Sequence, residues 1–120
     1  MSREIKFRAF DSISKKLHTW DVISMMPLPQ FIHLEHYTLE QFTGLKDKNG
    51  VDIYEGDILE HTVKDYHKRV GQVFKNKVEY YNGNICGWRI RNKSFHKKLT
   101  ENWLFNQEAE VIGNIHENKD

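Results

Sequence analysis

Apolar and basic residues alternate in Ile5-Lys6-Phe7-Arg8-Ala9-Phe10. A period of two puts successive side chains on opposite faces, so this run predicts a half-buried strand. The polar run Asp11 to Lys16 predicts a turn, and Leu17 to Val22 the return strand. Pro27-Leu28-Pro29 breaks regular structure, because proline lacks the N–H that a ladder needs. Aromatic and β-branched content favours strand between Gln30 and Phe42. Asp47-Lys48-Asn49-Gly50 predicts a tight turn, with glycine supplying positive φ without steric cost. Further strands are expected at Ile58–Lys64, Val70–Tyr81, Ile85–Arg91 and Ala109–His116, the last kinked or bulged at Gly113. Tyr66-His67-Lys68 reads as a loop, and Phe95 to Gln107 as one helical turn or an irregular connection.

The middle hairpin can be read in register. A three-residue loop, Asn82-Gly83-Asn84, pairs Tyr81 with Ile85 and sets Tyr80 opposite Cys86, Val78 opposite Trp88 and Asn76 opposite Ile90. That face is mostly apolar. The other sets Lys77 opposite Arg89 and Lys75 opposite Arg91. Like charges directly opposite each other destabilise a strand pair. Such a face is either well solvated or occupied by an anion.

Charge distribution sharpens this expectation. Between Lys64 and Lys98, ten Lys and Arg stand against Asp65 and Glu79, giving +8 in a chain whose net is +1 and leaving −7 elsewhere. This asymmetry suits an anionic partner for one face. Tyr66, Phe74, Tyr80, Tyr81, Trp88 and Phe95 are interleaved with those cations. Single-stranded nucleic acid is held by a mixture of this kind, but the register assigns Phe74, Tyr80 and Trp88 to the core. The 120 residues fit one domain, and a single cysteine, Cys86, forms no internal disulfide. That suits a reducing cytosol. The charged N-terminus resembles no signal peptide, and no run reaches membrane-spanning length.

Other chemistry is poorly supported. His33 and His36 share a face on a helix but not on the strand expected there, and no carboxylate or cysteine completes a zinc spacing. His61 and His67 flank a loop that does not fix them. Cys86 is expected on the apolar face, where a thiol is inert. Gly44, Gly50 and Gly56 serve turns and open no phosphate-binding helix. Glu55 and Asp57 lack the further oxygen ligands of a calcium loop.

Three blocks resemble the YopX family of phage and prophage proteins: Lys6-Phe7-Arg8-Ala9-Phe10-Asp11, the stretch Gln41 through Leu59, and Glu110-Val111-Ile112-Gly113-Asn114-Ile115-His116-Glu117-Asn118. The chain departs at Phe10, where the family often has tryptophan, and at His116 and Lys119, where it often has tyrosine and proline. The resemblance implies a β-rich fold with an SH3-like barrel in its C-terminal part and an origin in a phage or prophage-bearing bacterium. It brings no catalytic residue and no cofactor.

The expectation is therefore a mainly β single domain over residues 1–120: an N-terminal β element (1–45) packed on a small SH3-like barrel (46–120). It is expected to be cytoplasmic, non-enzymatic and free of cofactor and metal. The leading functional expectation is nucleic-acid binding through Lys75, Lys77, Arg89 and Arg91. The alternative is a structural module working through self-assembly as a homo-oligomer or by binding a host or phage protein. An enzyme would need a convergent polar pocket that the sequence does not assemble.

Overall fold

The computed structural model describes residues 5–25, 36–63, 71–83 and 86–117. The expected proline break at Pro27–Pro29, His33, and the loop Tyr66-His67-Lys68 lie outside the described residues.

The fold is mainly β, in two antiparallel sheets. The first holds β1 (Phe7–Asp11), β2 (Lys16–His18), β3 (Tyr37–Lys46) and β4 (Asp52–Tyr54), in the order β2-β1-β3-β4. The second holds β5 (Asp57–Thr62), β6 (Val73–Tyr81), β7 (Gly87–Arg91), β8 (His96–Lys98) and β9 (Glu110–Asn114), in the order β8-β7-β6-β5-β9, and curls into a half barrel.

β1 lies where the alternation puts it, but it is not half-buried. Phe7 and Ala9 face a small apolar cluster with Trp20, Ile23, Tyr37 and Leu39. Arg8 and Phe10 are buried as well, because the opposite face of this central strand is covered by the start of β5 and by the segment after β9. The return strand is shorter than the expected Leu17–Val22. It ends at His18, and a single helical turn, α1 (Trp20–Ile23), tucks Ile23 under the cluster.

The Asp47–Gly50 turn is stapled by its aspartate. One carboxylate oxygen of Asp47 accepts the N–H of Asn49 (2.8 Å) and of Val51 (2.9 Å), and the other accepts the N–H of Val111 on β9 (2.8 Å). The same side chain thus closes the turn and occupies a donor on the edge of the second sheet, where an open ladder would invite foreign pairing. Gly56 carries the chain from β4 to β5 and so from one sheet to the other. Its φ of +88° suits glycine, and a Cβ there would stand 2.5 Å from Glu40 Oε2.

Leu59, Val78 and Ile90 project from the inner face of the second sheet and meet Ile53 of β4. Leu99, Leu104 and Ala109 complete the core. The 95–107 region exceeds one helical turn. After β8, α2 (Glu101–Gln107) is capped by Thr100, whose hydroxyl accepts the Trp103 N–H at 3.0 Å. A serine or threonine in this position satisfies one of the orphan donors of a helix start. Burial of Leu104, with Trp103 packed beside it, gives this short helix the tertiary contacts it needs. In β9 the register slips between Val111, opposite Leu59, and Gly113, opposite Ile58, so the extra residue falls beside the glycine as expected.

Candidate functional site

The outward face of β6 and β7 carries the expected cations, but their pairing differs from the expectation. Tyr81 lies opposite Gly87, Tyr80 opposite Trp88, Val78 opposite Ile90, Glu79 opposite Arg89 and Lys77 opposite Arg91. The connection therefore runs from 82 to 86, two residues longer than the three-residue loop. A slip of two preserves which side chains share a face, since the side-chain period is also two, but it changes every partner. Lys75 is instead opposite Glu60 of β5.

This correction matters electrostatically. Arg89 Nε lies 2.5 Å from Glu79 Oε2, and Arg91 Nε lies 3.3 Å from the same oxygen. One carboxylate serves two guanidinium groups, so the pair Arg89–Arg91 keeps an excess positive charge. Arg89 also lies over the Tyr81 ring, 4.3 Å from its centroid, a cation–π contact. β8 extends the cationic face, with Lys98 opposite Arg89 and His96 opposite Arg91. Lys75, Arg91, His96 and Lys98 are exposed, while Lys77 and Arg89 are half-buried. Toward the other edge the sign reverses, with Glu60 opposite Glu110 across β5 and β9.

A groove of about 290 Å³ opens where β7 begins beside β8. Tyr81, Cys86, Trp88, Arg89, Lys97 and Lys98 line it. Trp88 packs partly on the core and meets Tyr80 edge-on at 5.2 Å. Cys86 was expected inside. It is exposed, because the longer connection carries it beyond the last strand pair at Gly87, and its thiol donates to Asn82 Oδ1 at 3.1 Å. Tyr80, also expected in the core, is half exposed at 50% because it sits near the open end of its strand.

His61, on β5 of this sheet, is buried on its inner face. Phe74 stacks on it at 5.5 Å and Trp103 meets it edge-on at 5.0 Å. Asn76 Nδ2 stands 2.9 Å from His61 Nδ1 and also donates to the Leu59 carbonyl at 3.0 Å. With Asn76 donating, His61 Nδ1 is the acceptor and the ring is the neutral Nε2–H tautomer. Burial, and then the charge of Lys97, push its pKa below the usual histidine value.

A buried ionic cluster joins the two sheets. Arg8 of β1 bonds Glu40 of β3 (Nε to Oε1, 2.8 Å) and Asp57 of β5 (Nη1 to Oδ1, 2.7 Å). Arg8 Nη2 also donates to the Glu55 carbonyl at 3.2 Å. His116, stacked on Phe10 at 3.9 Å, reaches the second Glu40 oxygen at 2.6 Å. Burial pushes the Asp57 carboxyl above its ordinary value, with Arg8 and the Tyr54 N–H pulling it back and Glu40 adding to the rise. An open cleft of about 530 Å³ lies beside this cluster, with Lys6, Trp20 and Asp52 among its walls.

Arg8, Gly56, Asp57 and His116 come from the three sequence blocks singled out above, so residues far apart in the chain meet at one place. The family model described as YopX protein matches residues 11–120. The chain belongs to the YopX family. The YopX match starts at Asp11, so Arg8 lies just before it. Among solved structures, the crystal structure of protein EF1440 from Enterococcus faecalis is similar, at 28% identity and a TM-score of 0.63, over 98% of this chain and 96% of that one. A comparison with curated proteins gives no match. Among the described residues, no helix is long and apolar enough to cross a membrane.

Proposed function

We propose that this YopX chain is a non-enzymatic binding module of phage or prophage origin that holds nucleic acid on the outward face of β6, β7 and β8. The curled five-stranded sheet supports reading its C-terminal part as an SH3-like half barrel working in the bacterial cytoplasm. One observation carries the proposal: Lys75, Lys77, Arg89, Arg91 and Lys98 share a face on which, within those three strands, Glu79 is the opposing carboxylate among the described residues. A strip of this kind tracks phosphates, with counterion release supplying the driving force. Because Glu79 neutralises part of the Arg89–Arg91 pair and Lys75 stands opposite Glu60 of β5, Lys77 and Lys98 carry more of the phosphate contact than the hairpin alone suggests.

Titration with a fluorescent oligonucleotide tests the proposal. For about four neutralised phosphates, log K falls with log salt at a slope of roughly −3 on single strands. Lys77→Glu with Lys98→Glu is expected to abolish binding in 150 mM salt, a condition at which non-specific contacts are already weak (about 10⁻⁴ to 10⁻⁶ M). Unchanged affinity in that double variant would refute the proposal.

A self-assembling or protein-binding module is the second reading. β8 favours it, because this three-residue strand ends the sheet order. Its exposed Lys97 and Lys98 are also the means by which a monomer keeps an edge from pairing. Light scattering on nuclease-treated protein distinguishes the two readings.

A further inference from the structure

We infer that the groove beside Tyr81 and Arg89 takes an unpaired base, so that the ligand is single-stranded nucleic acid rather than a duplex. The inference rests on the nucleic-acid reading above and adds the form of the ligand and the place of one base.

Three observations support it. The groove is lined by Tyr81 and Arg89, whose guanidinium carbon lies 4.3 Å from the Tyr81 ring centroid, and by Trp88. Bases are held by stacking on aromatic rings and on guanidinium planes, and every base has such a face only when it is out of a duplex stack. The lining is mostly apolar, so it suits the flat face of a base better than a phosphate. Lys97 and Lys98 line the same groove, and their charges suit the phosphates of a strand passing it.

Duplex recognition fits the geometry less well. A two-stranded ribbon can enter a major groove about 12 Å wide. Here β6 and β7 are flanked by β5 and β8 in a five-stranded sheet. At about 4.8 Å per strand spacing, that sheet spans roughly 19 Å and lies across the groove instead of entering it.

Cys86 lines the groove, is exposed and is the chain's single cysteine, so it reports occupancy directly. The wild-type protein is titrated with an oligothymidylate of about 12 nucleotides and with a duplex of the same length, a span within the usual site sizes of single-strand binders. Alkylation of Cys86 by a maleimide is followed at saturation with each ligand. The oligothymidylate is expected to bind more tightly and to slow alkylation at least fivefold, while the duplex leaves the thiol open. Tyr81→Ala is expected to weaken single-strand binding about tenfold, and Tyr81→Phe to match wild type, since stacking needs the ring and not the hydroxyl. Equal affinity and equal protection by the two ligands would overturn the inference, as would a bound oligonucleotide that leaves Cys86 fully reactive. No binding of either ligand would remove the nucleic-acid reading itself and this inference with it. The footprint on wild-type protein does not depend on whether any variant folds.

Discussion

Arg8 and Asp57 form a buried ion pair, 2.7 Å from Nη1 to Oδ1, between strands that belong to different sheets. Burying two charges costs desolvation that the pair only partly recovers, but removing one partner strands the other in a poorly solvating site. Arg8→Met is therefore expected to destabilise the fold by about 3–5 kcal/mol. Combining it with Glu40→Gln and Asp57→Asn removes the stranded charges, and is expected to be milder than the single change. Denaturant midpoints for the two variants check this order.

His61 predicts a stability that depends on pH. Its pKa in the fold is depressed, first by burial and then by Lys97, relative to 6.5. The unfolded chain therefore binds a proton more readily than the folded one. The contribution of His61 is complete above the unfolded value, and is lost as pH falls from there through the folded pKa. Urea midpoints measured from pH 7.5 down to 5 should decline more steeply for wild type than for His61→Phe, which cannot titrate. Equal slopes would show that other groups dominate.

Two turn glycines separate backbone strain from crowding. Gly50 has a φ of +80° with open space around its missing Cβ, whereas Gly56 has a φ of +88° and Glu40 Oε2 at 2.5 Å from that position. Gly50→Ala is expected to cost about 1–2 kcal/mol, the ordinary penalty for an L-residue in the left-handed region. Gly56→Ala should cost more, because Glu40 is held by both Arg8 and His116 and cannot swing away. Thermal unfolding of the two variants measures the difference.

Asp47 predicts a change that can be followed at one amide. Asp47→Ala leaves the Asn49, Val51 and Val111 N–H groups without their carboxylate acceptor. Asn49 and Val51 are exposed and Val111 half-buried, so each lost bond costs about 0.5–1.5 kcal/mol, the net value of an ordinary hydrogen bond. Hydrogen exchange at the Val111 amide is expected to accelerate well beyond the change at Leu59, which lies opposite Val111 in the ladder. Equal acceleration at both would mean general destabilisation instead of a local clasp.

Strand positions were largely legible because they rest on period-two patterning, which needs only near neighbours. Ile5 to Phe10 and Val70 to Tyr81 show this, although the described strands start at Phe7 and Val73. The cationic face was legible for the same reason, since a two-residue slip leaves each side chain on its own face. Partners were not legible. Keeping apolar and basic faces apart favours a three-residue loop over a two-residue one but does not exclude a five-residue one, and the actual pairing starts at Gly87 and brings Glu79 to Arg89. That slip also exposes Cys86, and it creates a groove whose walls come from β6, β7 and β8. The ionic cluster was illegible for another reason: Arg8 and Asp57 are 49 positions apart, and neither alternation nor turn chemistry specifies contacts between sheets. A cation in the middle of a strand whose other face is apolar is the available signal, and a half-buried pattern alone does not show that the cation is buried too.

Glu40 answers at once to Arg8 within its own sheet and to His116 beyond the other. Neither layer can loosen alone without leaving an ionised group in a dry place. Heating should accordingly melt the two layers in a single calorimetric peak, and a cut in the chain that frees the His116 end would soften the distant first layer as much as the one it was cut from.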